Sequence, residues 1–301
     1  MMKQRLKLGI VLLIPFLLIS CSNEDKTVEK GDKILKKEES GAKKIKINSM
    51  FEVAYYGQPQ LIQRYLDHNH SINYEDKNGA TPIYYAIQTN QVMTIKPFID
   101  KGADLKHKNN LGQTPLHMAV SLGKGKIVDI LLENGADINA KDNNALTPLI
   151  YAIENEKEVI AQKLIDKGAS LEADEKYGLT PLHMAIQHKN IAIAKLLLEK
   201  KIDINHQNID GYTPLHYAVI ANSFKAVELL INKGAKVDLK DKEGSTPLSV
   251  AVMKGRIKMI KFLLAHGADK HIKDNEGVTP LNLAQKSWNQ ALKKVMLNEK
   301  K

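Results

Sequence analysis

The sequence predicts a mainly helical chain, an open solenoid of stacked helical hairpins, and three observations carry that prediction. First, a six-residue phrase recurs seven times: TPIYYA from Thr81, TPLHMA from Thr114, TPLIYA from Thr147, TPLHMA from Thr180, TPLHYA from Thr213, TPLSVA from Thr246 and TPLNLA from Thr279. Every step between copies is 33 residues, without insertion or deletion. Second, each phrase opens a short apolar helical pattern and is followed, after a turn, by another. Third, such a pair leaves an apolar face that it cannot cover alone, so neighbours must cover it and the units must stack.

The chain before the repeats divides at its only cysteine, Cys21. Lys3, Arg5 and Lys7 precede Leu8 to Ser20, an acid-free and mostly apolar run of thirteen residues. Charge and length match an export signal; a helix that crosses a bilayer needs roughly 20 apolar residues, and Pro15 weakens this one further. An ordinary secretory signal with an incidental cysteine is the alternative. Leu18, Ile19, Ser20 and Cys21 resemble, position for position, the lipobox of bacterial lipoprotein signal peptides. The resemblance implies removal of residues 1–20 and acylation of Cys21, a covalent lipid and no other cofactor. At roughly 0.8 kcal/mol per buried CH₂, two or three acyl chains make attachment durable. Residues 21–47 then form the lipidated N-terminus and a charged tether, too poor in apolar side chains to build a core. The 26 residues from Ser22 to Ile47 give a root-mean-square reach of about 28 Å.

Residues 48–301 form the solenoid: a capping unit at 48–75, six full repeats at 76–273 and a capping unit at 274–301, eight units in all. In a full unit Thr114 suits the N-cap, where its hydroxyl accepts a free backbone N–H, and Pro115 suits the first helical position. The pair returns as Thr81 and Pro82, Thr147 and Pro148, Thr180 and Pro181, Thr213 and Pro214, Thr246 and Pro247, and Thr279 and Pro280. Leu116 and Ala119 face inward; Ile127, Val128, Leu131 and Leu132 make the stripe of the second helix; Gly135 ends it in the left-handed conformation. The first unit keeps the register (Met50, Val53, Gly57, Leu61, Ile62, Leu66) without Thr-Pro, and the last places Trp288 where Gly123 and Gly255 stand. Ala145 replaces a turn glycine, and Asn69 and Lys201 replace helix-stop glycines. A left-handed Lys201 costs about 1 kcal/mol and marks a weak joint between the fifth and sixth units, through drift or as a hinge.

Period and signature together resemble the ankyrin repeat over residues 48–301. The resemblance implies units made of a β-turn or hairpin plus a helix-turn-helix. It also implies a structural role for His117, His183 and His216, each bonded to a neighbouring loop; layers apart, they cannot converge on one ion. The HNH run, His68 to His70, closes a helix and is not expected to hold metal, and GKGK at 123–126 lacks the spacing of a phosphate loop. There is no HExxH, GxSxG or second cysteine, and an open solenoid has no closed cleft, so no enzyme is expected. The formal charge of +10 falls to +7 without residues 1–20, and residues 22–47 hold +2 of it. The remaining +5 reads as spread over the repeats with both signs interleaved, so nucleic acid is not an expected partner.

In ankyrin-like arrays, partners lie along the concave side of turn tips and first helices. The positions that this implies are Leu111, Leu122, Leu146, Tyr177, Leu179, His188, Ile209, Tyr212 and Ile220, an apolar stripe between polar margins at Lys77, Asn78, Gln88, Lys242, Glu243 and Lys286. Packing of these side chains on adjacent turns is the alternative. The expectation is a monomeric, non-catalytic, lipid-anchored protein of a bacterial envelope that binds another protein. It would sit on the periplasmic side of the outer membrane in a Gram-negative cell, or on the outer leaflet of the plasma membrane in a Gram-positive one. An immunity protein masking a toxic secreted effector enzyme is a narrower form, as are a scaffold and an adhesin. An envelope enzyme is the alternative of another class.

Overall fold

The computed structural model describes residues 49–68, 70–172 and 176–297. The signal segment 1–20, Cys21, the tether 21–47 and Asn69 lie outside the described residues. The repeat unit from Met50 onward is a series of eight helix pairs. They are α1 (Met50–Tyr55) with α2 (Ile62–Asp67), joined by a 3₁₀ turn at Pro59–Leu61; α3 (Pro82–Gln88) with α4 (Val92–Asp100); α5 (Pro115–Ser121) with α6 (Gly125–Glu133); and α7 (Pro148–Glu154) with α8 (Glu158–Asp166). The series continues with α9 (Pro181–Gln187) and α10 (Ile191–Glu199), α11 (Pro214–Ile220) and α12 (Phe224–Asn232), α13 (Pro247–Met253) and α14 (Ile257–Ala265), and α15 (Pro280–Lys286) and α16 (Gln290–Leu297). No strand occurs among the described residues. The described repeats are thus the stack of helical hairpins that the repeat requires, with each first helix from α3 to α13 packed between the first helices before and after it, and α1 and α15 closing the row on one neighbour each.

Capping follows the predicted chemistry in six of the seven Thr-Pro units. Thr114, Thr147, Thr180, Thr213, Thr246 and Thr279 have extended backbone, and each hydroxyl accepts the N–H three residues on. His117, His183 and His216 return a bond: Nδ1 accepts the threonine N–H, at 3.1, 3.2 and 3.2 Å. Nε2 then carries the proton and donates across 29 residues to the carbonyls of Leu146, Tyr212 and Ser245, at 3.0, 3.1 and 3.1 Å. One imidazole therefore caps its own helix and pins the next loop. The second unit differs because Tyr84 occupies the histidine place. Its hydroxyl lies 2.8 Å from the His107 carbonyl and 2.7 Å from that of Gln113, so the loop is still held, while the Thr81 hydroxyl is left buried without a partner.

The core is the sum of the inward faces. Leu116, Ala119, Ile127, Val128 and Leu131 are fully buried, as are their counterparts Leu182, Ala185, Ala194 and Leu197; Leu132, placed in the stripe by its spacing, is only half-buried. In the first pair Met50, Val53 and Ile62 are buried, and in the last Leu292 and Met296. Burying a Leu or Ile contributes about 1.5–3 kcal/mol. Neighbours supply that burial, since each pair exposes its inward face until the next is in place.

Backbone strain falls where the glycine pattern breaks. Ala145 (φ 64°) and Lys201 (φ 58°) are left-handed, as their positions demand. A third left-handed place lies in the turn inside each of the first seven pairs, occupied by Gly57, Gly123 and Gly255 or by Asn90, Glu156, Lys189 and Asn222. Close approach adds to the demand at the tips: a Cβ on Gly211 would lie 2.7 Å from the Lys242 amide nitrogen of the next tip.

Candidate protein-binding face

The turn tips are built before any partner arrives. Asp76, Asn109, Asp142, Asn208, Asp241 and Asp274 each accept two backbone N–H groups, two and four residues on, closing a tight side-chain-to-backbone turn. Successive tips are stitched together: the amides of Asn110, Asn143, Ile209, Lys242 and Asn275 donate to the carbonyls of Asn78, Leu111, Tyr177, Asp210 and Glu243, at 2.9–3.2 Å. Tyrosines of the first helices brace the same aspartates and asparagines. Tyr85 and Tyr151 donate to Asp76 and Asp142 at 2.7 and 2.8 Å, and Asn208 donates to the Tyr217 hydroxyl at 3.3 Å.

On this frame the predicted stripe divides into three kinds of position. Leu111 (38 % exposed), Tyr177 (38 %) and Ile209 (46 %) are open at the tips, with the Lys176 ammonium 4.8 Å from the centre of the Tyr177 ring. Leu122, Leu146, His188, Tyr212 and Ile220 are half-buried, each offering part of a side chain. Leu179 is a correction: at 6 % exposure it belongs to the core of its tip and offers no contact. Tyr212 also stacks edge-on against His216 (5.6 Å) and Tyr217 (6.2 Å), so its ring has a packing duty beside any contact it makes. The stripe is interrupted as well, since Asn144 occupies the tip place between Leu111 and Tyr177.

Two members escaped sequence reasoning. Met253 is 52 % exposed and stands one repeat beyond Ile220, extending the stripe into the seventh unit. The register alone gave that position. Glu154, at the same repeat position in the fourth unit, is half-buried; burial, with help from the Asp142 charge, pushes its carboxyl up to about 7. A glutamate at a helix end reads as solvated, so nothing in the sequence signalled it.

The histidines are structural by geometry. Burial holds His183 and His216 down to about 4, and lowers His117 as well. His68 takes part in a local bond, its Nδ1 lying 2.7 Å from the Arg64 carbonyl, and the His70 ring lies against Tyr65. No group of three or more His, Cys, Asp or Glu with metal-holding geometry occurs among the described residues. No helix of the described residues is long and apolar enough to cross a membrane.

Fold and face together define a repeat protein that presents a preformed row of turn tips and first helices for recognition. The family model for ankyrin repeats in three copies matches residues 50–142, 141–208, 203–274 and 233–300, and the chain belongs to the ankyrin-repeat family. No curated protein matches it. Ankyrin repeats are modules for protein–protein interaction and typically carry no catalytic step.

Proposed function

We propose that this chain is a lipid-anchored envelope protein that binds another protein through the tips and first helices of its third to seventh units, without catalysing a reaction. The observation that carries the reading is the pair Tyr177 and Ile209: two large apolar side chains open to solvent on adjacent tips that share a backbone hydrogen bond of 3.0 Å. Side chains of this size, held on a braced frame, bind with little ordering cost and act as anchors at interfaces. The same preformed face suits the narrower role of masking a secreted effector enzyme. Anchoring rests on the residues before Cys21 and on that cysteine.

The test is cross-linking and pull-down from intact cells, comparing the parent with Tyr177→Ala/Ile209→Ala. This pair is preferred to one that includes Tyr212, whose ring also packs. The expected result is loss of the captured protein with an unchanged circular dichroism melt; capture that persists at parental level refutes the assignment of the face. Palmitate labelling that is lost in Cys21→Ser, with accumulation of the uncleaved precursor under globomycin, is the matching expectation for the anchor.

A further inference from the structure

The last two units carry a basic surface that the fold does not use and that adjoins the end of the proposed partner face, Lys286 standing one repeat beyond Met253. The charge excess of the repeats, read from the sequence as evenly interleaved, is divided: residues 48–245 hold 22 Lys or Arg against 24 Asp or Glu, whereas residues 246–301 hold 11 against 4. Helices α13 to α16, with the turn inside each pair, bear seven Lys or Arg and no acidic residue. None of the seven forms an ion pair among the described residues, whereas Lys96, Lys163 and Lys200 elsewhere pair with Asp100, Asp129 and Asp166.

Trp288, the only tryptophan, stands in the α15–α16 turn and is 99 % exposed. Its counterparts in the other units run from Gly57 through Asn90 and Glu156 to Gly255, residues that merely close the turn. The fold therefore has no use for an indole at this place. Because α13 packs on α15 and α14 on α16, the turn with Lys254 and Arg256 lies along the same edge as Lys286 and Trp288, and Lys258 continues it.

We propose that this edge docks on an anionic phospholipid surface, Trp288 entering the headgroup boundary while Lys254, Arg256, Lys258 and Lys286 lie over lipid phosphates. Indole rings favour that boundary, having an apolar body and a polar N–H. Each lysine near such a surface raises partition roughly fivefold. The composition argues against the other classes of partner. Protein interfaces are depleted in Lys and enriched in Arg, and this edge has three Lys for one Arg. Single-stranded nucleic acid is held by several stacking aromatics, and here there is one. The proposal rests on the envelope reading only for the presence of a membrane; the contact itself does not need the acyl chains.

The sole tryptophan makes the test direct. In the full chain carrying Cys21→Ser, which has no acylation site, Trp288 emission should move to the blue on adding equimolar phosphatidylglycerol–phosphatidylcholine vesicles and stay unchanged with phosphatidylcholine alone. Lys254→Gln with Lys258→Gln should lower the partition roughly 25-fold and leave the far-ultraviolet circular dichroism intact. No shift with anionic vesicles, an equal shift with both vesicle types, or a shift with DNA but not with vesicles would overturn the proposal. Acylation is read separately, by palmitate labelling of the parent chain, so failure of the anchor and failure of the docking edge give different results.

Discussion

Acid should unfasten this array at its fifth and sixth units, where His183 and His216 lie in successive layers. Each ring is fully engaged: Nδ1 accepts a threonine N–H, and Nε2 donates to the carbonyl of Tyr212 or Ser245. A second proton on Nδ1 would face a donor, and burial adds its own penalty, holding both groups at about 4 against an ordinary 6.5. The folded-state pKa lies below the unfolded one, so the unfolded chain binds more protons between these limits. The contribution is complete above pH 6.5 and is lost as pH falls towards 4. At pH 5 the loss is about 2 kcal/mol for each ring. The perturbation is His216→Asn, chosen because Asn282 occupies this place in α15 and keeps the reciprocal cap with Thr279. Urea unfolding followed by circular dichroism at pH 7.5 and pH 5 is the assay. The variant should be weaker at pH 7.5 by about 1 kcal/mol, for the lost bond to the Ser245 carbonyl. Its further loss on going to pH 5 should be smaller than the parent's by about 2 kcal/mol. Other titrating groups act alike in both proteins and drop out of the difference. An identical pH response in parent and variant would refute the reasoning.

Lys201→Gly should stabilise the array by about 1 kcal/mol, because φ 58° costs a glycine little; an unchanged urea midpoint counts against strain at that joint. Glu154→Gln has the opposite pH signature to the histidines. The carboxyl is raised to about 7, so its charged form costs stability above that pH, and the cost fades as pH falls towards the unfolded value. The variant should therefore gain on the order of 1 kcal/mol at pH 8, after allowance for solvent screening of a half-buried group, and nothing at pH 5. A gain of equal size at both pH values would show that charge is not the cause.

What the sequence made legible was whatever a residue demands of its own backbone. Thr-Pro starts, glycine stops and the left-handed Ala145 and Lys201 all sit where spacing put them, since capping and φ are local requirements. Exposure was less legible, because it depends on how the next tip closes over a side chain. Leu146 and Leu179 share one repeat position, yet the first is half-buried and the second is core. Tyr84 was readable in principle, as the letter that breaks the TPLH phrase, but its reach to two carbonyls of the next loop follows only from its length. The division of charge was present in the letters and was lost by averaging over the whole array.

Strain and recognition fall in the same place. Ala145, Glu156, Lys189 and Lys201, four of the six left-handed residues other than glycine among the described residues, belong to the fourth and fifth units, and each costs on the order of 1 kcal/mol. The stability of a repeat array is a sum of unit and junction terms, so this stretch is its local minimum, and it holds acid-sensitive His183 with His216 in the unit that follows. The same stretch supplies Leu146, Glu154, Tyr177 and His188 to the proposed face, with Ile209 on the next tip. A partner that bridges those tips ties together the units least able to hold themselves. Part of its binding energy then goes into suppressing local opening, which couples partner release to acid more steeply than contacts between two rigid surfaces would.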